Sequence, residues 1–239
     1  MTNFSQLIIP QDQSKLARMA VLENLIKKHI SAPSTVIEIG VWYGLGSTSL
    51  WLKNLHPGSH LILLDAWKPY ASNADITGME MRPKFWNYPK MDSLTTEAFL
   101  SAFLNIRTFE NEFNSFDVTM IRGNSHSVLP LLKADSFDVI YIDGDHKYSS
   151  AKADIVSAKH LINKNFGIIC GDDLEKLPTP ELLDIALQYK DRDYLRGDCN
   201  FHPGVCLAVA EEFLHINMVE GFWWVFCVNG AFTCHYPIS

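Results

Sequence analysis

The sequence has no cysteine pattern that would staple it together. Its five cysteines, at 170, 199, 206, 227 and 234, are odd in number and never stand in Cys-x-x-Cys spacing. That argues against a disulfide framework and a zinc site and suits a reduced, cytoplasmic chain; Cys170, inside an apolar run, reads as small core filler. Long hydrophobic runs are missing too. No segment approaches the ~18–20 apolar residues that span a bilayer, and MTNFSQLIIPQDQ lacks the basic-then-apolar pattern of a signal peptide. Positive charge is scarce: 20 Lys and Arg against 27 Asp and Glu give a formal net charge of -7, and no basic run exceeds Lys27-Lys28. A general nucleic-acid binder needs a basic face to neutralise phosphates, so the balance argues against that class of partner.

What is present is the composition of a soluble globular chain, with 47% hydrophobic and 20% charged residues among 239. Residues 14–30 repeat apolar positions at Leu16, Met19, Ala20, Leu22, Leu25 and Ile26, a helical spacing with Ser14 as N-cap. From Thr35 onward, short apolar runs alternate with longer amphipathic ones. Strands are expected at 35–40, 60–64, 117–122, 137–142 and 166–170, with helices at 47–55, 95–107, 126–133, 149–162 and 180–190. Strands separated by helices of this length make βαβ units and a parallel sheet. A helix at 204–214 then leads to two strands, 215–219 and 222–228, joined by Glu220-Gly221, a hairpin-sized connection. The expected fold is α/β: a doubly wound, mostly parallel, seven-stranded sheet with a C-terminal antiparallel hairpin. With no repeat or linker, 1–239 reads as a single domain. The 28 residues from Ala66 to Ser93 are too long for an ordinary connection, and Trp67, Tyr70, Trp86 and Tyr88 make them too apolar for a solvated loop. They are expected to form a lid, or else an insertion that packs on the surface or makes a contact in a homo-oligomer.

Chemistry concentrates at strand ends. Glu38-Ile-Gly40-Val-Trp-Tyr-Gly44-Leu-Gly46 makes a glycine-rich turn from the first strand into a helix, where the backbone can approach a ligand closely. A full Gly-x-Gly-x-x-Gly dinucleotide fingerprint is lacking, because Ser49 stands at the third glycine position. The acid before the turn, Glu38, suits a ligand with an ammonium group better than a pyrophosphate. Asp65, ending the second strand, is placed to accept hydrogen bonds from a ribose diol.

These motifs resemble the class I S-adenosylmethionine-dependent methyltransferases, whose sheet is Rossmann-like. More narrowly, GVWYGLGS with IDGDHKY and a later CGDDL is similar to the metal-dependent O-methyltransferases of macrolide sugars, macrocin and mycinamicin O-methyltransferases among them, and more distantly to catechol O-methyltransferase. The resemblance spans Thr35 to Leu174 and fades in 66–93 and after 175. It implies S-adenosylmethionine as cofactor, with Glu38, Gly40 and Gly44 in the turn along its methionine portion and Asp65 at the ribose. It places Ser125 and His126, in Arg122-Gly-Asn-Ser-His, at the adenine edge; Ser125 reads equally well as a helix N-cap.

Asp143 of IDGDHKY and Asp172-Asp173 of CGDDL end consecutive parallel strands, which as neighbours lie roughly 4.8 Å apart. Carboxylates that close repel unless protonated or neutralised by a cation, and an all-oxygen set favours Mg²⁺, with Mn²⁺ or Ca²⁺ as substitutes. The metal ligands of the resembled family fall on Asp143, Asp172 and Asp173, and Asp143 also lies at the cofactor. His146, three residues after Asp143, stands where macrolide-sugar enzymes carry a histidine and catechol-type relatives a lysine, which implies a catalytic base. Its ordinary pKa of ~6.5 allows that role near neutrality. Lys147 is the fallback base; Asp145 either orients His146 or caps the next helix. His202, in the 191–203 loop, is within reach of the site.

The expected activity is transfer of a methyl group to a hydroxyl of a small molecule: a sugar, a glycosylated natural product, or a polyol or catechol-like acceptor. The rival classes are a non-catalytic module that keeps the cofactor fold and a nicotinamide-dependent oxidoreductase. A nucleic-acid amino-methyltransferase would show an Asn/Asp-Pro-Pro-aromatic run where this chain has Asp-Gly-Asp-His. Phe222-Trp-Trp-Val-Phe226 reads as the final strand, HPGVCLAVAEEF as a packing helix, and the terminal Cys-His-Tyr-Pro as a surface tail.

Overall fold

The computed structural model describes residues 16–69, 91–113, 117–195 and 199–236. Five strands run parallel: β1 (Thr35–Ile39), β2 (His60–Asp65), β3 (Asp117–Arg122), β4 (Val139–Ile142) and β5 (Phe166–Gly171). Three more are antiparallel: β6 (Asn217–Val219), β7 (Phe222–Val228) and β8 (Ala231–Thr233). The sheet order is β3-β2-β1-β4-β5-β7-β6, with β8 also pairing β7. The helices are α1 (Leu16–His29), α2 (Ser47–Asn54), α3 (Met91–Phe113), α4 (Ser125–Val128), α5 (Tyr148–Leu161), α6 (Pro180–Tyr189) and α7 (Pro203–Glu212).

The central strands β1, β2, β4 and β5 are buried on both faces, so they read as mostly apolar runs while their side chains still alternate. In β4, Ile140 and Ile142 join the core under α5, α6 and α7, whereas Val139 and Tyr141 join the core under α1, α2 and α3. α5 buries Ala151, Asp154, Ile155, Ala158 and Leu161, a stripe of helical period in which only Asp154 is charged. β1 pairs β2 on one side and β4 on the other, so the chain reverses its direction of winding between β1 and β4. The crevice at the carboxyl ends of those two strands is where open α/β sheets bind ligands.

Three expectations change. Phe222–Val228 is not the final strand: β8 follows it after Asn229-Gly230, whose φ values of 51° and 80° suit a two-residue hairpin turn. The sheet therefore has eight strands. The helix expected over 126–133 is one turn of α-helix, Ser125–Val128, continued as a 3₁₀ turn at Leu129–Leu131, with Pro130 in its first positions. Trp67 is core and not a lid aromatic; it is 1% exposed, donates its indole N–H to the Trp42 carbonyl (2.8 Å) and meets Phe99 edge-on. The rest of the expected lid from 70 to 90, with Tyr70, Trp86 and Tyr88, and the expected cap Ser14 lie outside the described residues.

Candidate active site

Parallel register sets the floor of the site. Ile39 pairs with Leu64 and with Ile142, and Ile142 pairs with Gly171, so the residues that follow line up across the sheet edge. Asp65, Gly40, Asp143 and Asp172 thus stand at four neighbouring strand ends. Gly40 marks the tightest approach. Its φ is +91°, and a Cβ there would sit 1.8 Å from the Asp143 carbonyl oxygen. The glycine that opens the turn therefore makes room for the acid loop itself.

The turn is held from beneath by two carboxylates. Asp65 accepts the Val41 and Trp42 N–H groups on Oδ2, both at 2.9 Å, and the Trp67 N–H on Oδ1 at 2.7 Å. Gly44 donates its N–H to the Val41 carbonyl at 2.9 Å and has φ +70°. Glu38 is fully buried; its oxygens accept from the Ser47 and Thr48 hydroxyls in the first turn of α2. Burial pushes the Glu38 carboxyl up to about 8, above what the two hydroxyl donors pull back. Both acids of the cofactor motif thus carry structural bonds in addition to any contact with a ligand.

At the third strand end, Asn124 and not Ser125 is the N-cap of α4, its Oδ1 accepting the His126 N–H at 2.9 Å. Ser125 instead bonds the carboxyl of Asp154, and His126 lies with Nε2 3.8 Å from Asp154 Oδ1. Asp154 is 2% exposed and lies under Gly144; burial raises its carboxyl to about 6.

The acid loop and its surroundings form one charged network. His146 is held at both ring nitrogens, Nδ1 2.8 Å from Asp193 Oδ1 and Nε2 3.0 Å from Asp173 Oδ2, with Asp143 Oδ1 at 3.9 Å. Burial disfavours the imidazolium, but Asp193 and Asp173 outweigh it and hold His146 well above its ordinary value. His202 faces His146 with ring centroids 4.5 Å apart and reaches Glu175 Oε2 with Nδ1 at 3.0 Å. Arg18, from α1, completes the network with Nη1 2.5 Å from Asp172 Oδ1 and 2.9 Å from Asp173 Oδ1, and Nη2 3.2 Å from Glu175.

The three expected metal ligands divide within this network. Asp173 has a cationic partner at each oxygen; burial works against its ionisation, yet His202, His146 and Arg18 hold it well below the usual carboxylate range. Asp143 and Asp172 are pushed the other way. Burial raises both, Asp173 adds to the rise in each, and Arg18 does not offset it for Asp172. Asp172 shares the one Arg18 guanidinium with Asp173 and Glu175, and Asp143 has only the His146 ring at 3.9 Å, so acids outnumber the cations beside them; a divalent cation is a group that would supply the difference. The donor set thus fits a metal at Asp143 and Asp172, with Asp173 engaged elsewhere. Among the described residues, the group whose potential ligand atoms all lie within 4.8 Å of one another is His146, Asp173 and His202; the expected trio Asp143, Asp172 and Asp173 is not gathered in that way.

Asp145 neither orients His146, whose ring nitrogens are held by Asp193 and Asp173, nor caps α5 in the strict sense. Its Oδ1 accepts the Lys147 N–H at 3.2 Å and its Oδ2 the Ser150 hydroxyl at 2.9 Å, which ties the loop to the start of α5. Lys147 is the N-cap residue of that helix. The groups that sequence reasoning missed are Arg18 and Asp193, each brought in from an element distant in the chain, and Glu175, which stands two residues after Asp173.

Sheet order, switch-point crevice and strand-end acids define an enzyme fold of the Rossmann-like, cofactor-binding class. Residues 37–174, over half of the chain, match the family described as Methyltransferase domain. The chain belongs to that family, and is an S-adenosylmethionine-dependent methyltransferase. Among solved structures it is similar to the O-methyltransferase NovP (16% identity, TM-score 0.57, covering 87% of this chain and 78% of that one). It is also similar to the cofactor-bound protein Rv0187 from MTB (15%, 0.53, 93% and 84%) and to a protein from Corynebacterium glutamicum (14%, 0.53, 87% and 79%). At these identities the likeness is one of fold. No curated protein matches the chain in sequence. No helix among the described residues is long and apolar enough to cross a membrane.

Proposed function

We propose that the protein transfers the methyl group of S-adenosylmethionine to a hydroxyl oxygen of a small molecule, assisted by a divalent cation, Mg²⁺ or Mn²⁺. The acceptor class is a sugar, a glycosylated natural product, or a polyol or catechol-like compound. The observation that carries the reading is the placement of Asp143 and Asp172 at neighbouring strand ends of the switch-point crevice, partly exposed to it, with the His146 imidazole 3.9 Å from Asp143. When bound, the cation would lower the pKa of an acceptor hydroxyl coordinated to it. Asp143 and Asp172 would hold it, and Asp173 would join only by giving up His146 or Arg18. Glu38, Gly40, Gly44, Asp65, Ser125 and His126 would line the cofactor from methionine to adenine, with Asp143 where the two half-sites meet.

His146 would take the acceptor proton on Nε2, with Asp193 fixing the ring through Nδ1. The present hold of Asp173 on Nε2 is the resting arrangement, and base catalysis needs that proton gone. Orientation of the two reactants in the crevice supplies much of the remaining rate.

Titration of the purified protein with S-adenosylmethionine and with NAD, each with and without Mg²⁺, tests the reading. Binding of the sulfonium cofactor alone is expected, and NAD binding in its place would sink the proposal. A turnover indifferent to chelator would remove the metal. Cofactor binding with no turnover on any hydroxyl acceptor would favour the non-catalytic module.

A further inference from the structure

Arg18 reaches the acid cluster from a helix 155 residues away in sequence from Asp173, and its place there is built. It is 7% exposed. Its Nη1 contacts Asp172 and Asp173, its Nη2 contacts Glu175, and its Nε donates to the Glu220 carbonyl at 2.6 Å. The hairpin turn between β6 and β7 is shaped to admit it. A Cβ on Gly221, whose φ is +89°, would stand 2.4 Å from Nη2. α1 itself is anchored by Leu22, Leu25 and Ile26, all buried, so its docking does not depend on the guanidinium alone.

We infer that Arg18 is a tethered cation that competes with a divalent metal for Asp172, so that docking of this arginine and loading of the metal oppose each other. The inference rests on the metal reading above. One guanidinium nitrogen bridges an oxygen of each of two expected ligands, and like charges drawn to the same oxygens repel at short range. Metal held by Asp172 requires the guanidinium to withdraw from its Oδ1, and the Glu175, Glu220 and Gly221 contacts resist that withdrawal. α1 thereby regulates how readily the site fills.

The test is Mn²⁺ binding to the full chain, read by the electron paramagnetic resonance of the free ion, for wild type, Arg18→Met and Arg18→Lys. Arg18→Met is expected to bind Mn²⁺ at least tenfold more tightly than wild type, and Arg18→Lys within a few-fold of it. Hydrogen exchange on the wild type needs no variant: Mn²⁺ should speed exchange of the α1 amides. Mn²⁺ binding no tighter in Arg18→Met, or α1 exchange that Mn²⁺ leaves unchanged in the wild type, overturns the inference. If wild type and Arg18→Met bind Mn²⁺ equally, the metal site stands and the competition falls. If neither binds it, both fall.

Discussion

Glu38→Gln should abolish a specific part of the protein's pH dependence. The wild-type carboxyl is fully buried and pushed up to about 8, against an ordinary value of 4.5. Below pH 4.5 it is neutral in both folded and unfolded chains and contributes no pH dependence. Between about 4.5 and 8 the unfolded chain releases the proton while the folded chain keeps it, so stability falls as pH rises. Above about 8 both forms are ionised and the loss is complete. At ~1.4 kcal/mol per pH unit, the loss between pH 5 and 8 is about 4 kcal/mol. A glutamine has nearly the same shape, can still engage the Ser47 and Thr48 hydroxyls, and does not titrate.

Urea denaturation of both proteins from pH 5 to 9 isolates the effect, because every other titrating group cancels in the difference. The stability of Glu38→Gln minus that of wild type should climb by about 3–4 kcal/mol across the window and then level off. A difference that stays constant with pH within about 0.5 kcal/mol would show that Glu38 is ionised throughout. The two hydroxyl donors would then outweigh burial, and the account of the α2 start given above would be wrong.

Gly40→Ala places a methyl group where the Asp143 carbonyl already lies and forces a side chain to φ +91°, so unfolding free energy should drop by roughly 2–4 kcal/mol in the same urea assay. Asp65→Asn exchanges an acceptor oxygen for a donor nitrogen beneath three backbone N–H groups; a loss of about 1–3 kcal/mol, together with weaker S-adenosylmethionine binding by calorimetry, is expected. Asp193→Asn removes a carboxylate from His146 Nδ1 and should lower the imidazole pKa followed by NMR; an unmoved titration would assign the upward shift to Asp173 alone. His146→Ala should cut turnover by ~10²–10⁴ with cofactor affinity near wild type, and unchanged turnover would remove it as the base.

The parallel sheet was legible because each strand is an apolar run ending at a polar residue, and consecutive runs were spaced for crossover helices. That spacing alone brought Asp143 beside Asp172, since β4 and β5 are neighbours. Arg18 was not read, although a signal existed: it lies four residues before Leu22 and eight before Ile26, on the buried stripe, while Ala20, taken as apolar-face, is exposed. A charge on a buried helical stripe demands a partner, but the partner is set by tertiary packing and has no local spacing. Asp193 lies in a loop and likewise meets His146 only through tertiary packing, whereas Glu175 directly follows the Cys-Gly-Asp-Asp-Leu motif and was passed over. β8 is different, because Asn229-Gly230 is a strong hairpin signal and the three residues after it were passed over as tail.

The loop from Asp143 to Tyr148 is gripped on both sides by backbone. Gly40 sits against the Asp143 carbonyl, and at the start of α7 a Cβ on Gly204 would stand 2.3 Å from the His146 carbonyl oxygen and 2.4 Å from the Tyr148 nitrogen. Asp145 fastens the same loop to the first turn of α5 through Lys147 and Ser150. Close packing of this kind leaves the main chain few alternative positions, because any shift meets backbone and not a side chain that can rotate. Changes of state at the site must then be carried by side chains: the His146 ring proton, the partners of Asp173, and the guanidinium of Arg18. A rigid loop with exchangeable charges around it keeps the cofactor half and the acid half in register, because β1 and β4 are paired, Asp143 donates its N–H to the Ile39 carbonyl at 2.7 Å, and Gly40 packs against the Asp143 carbonyl.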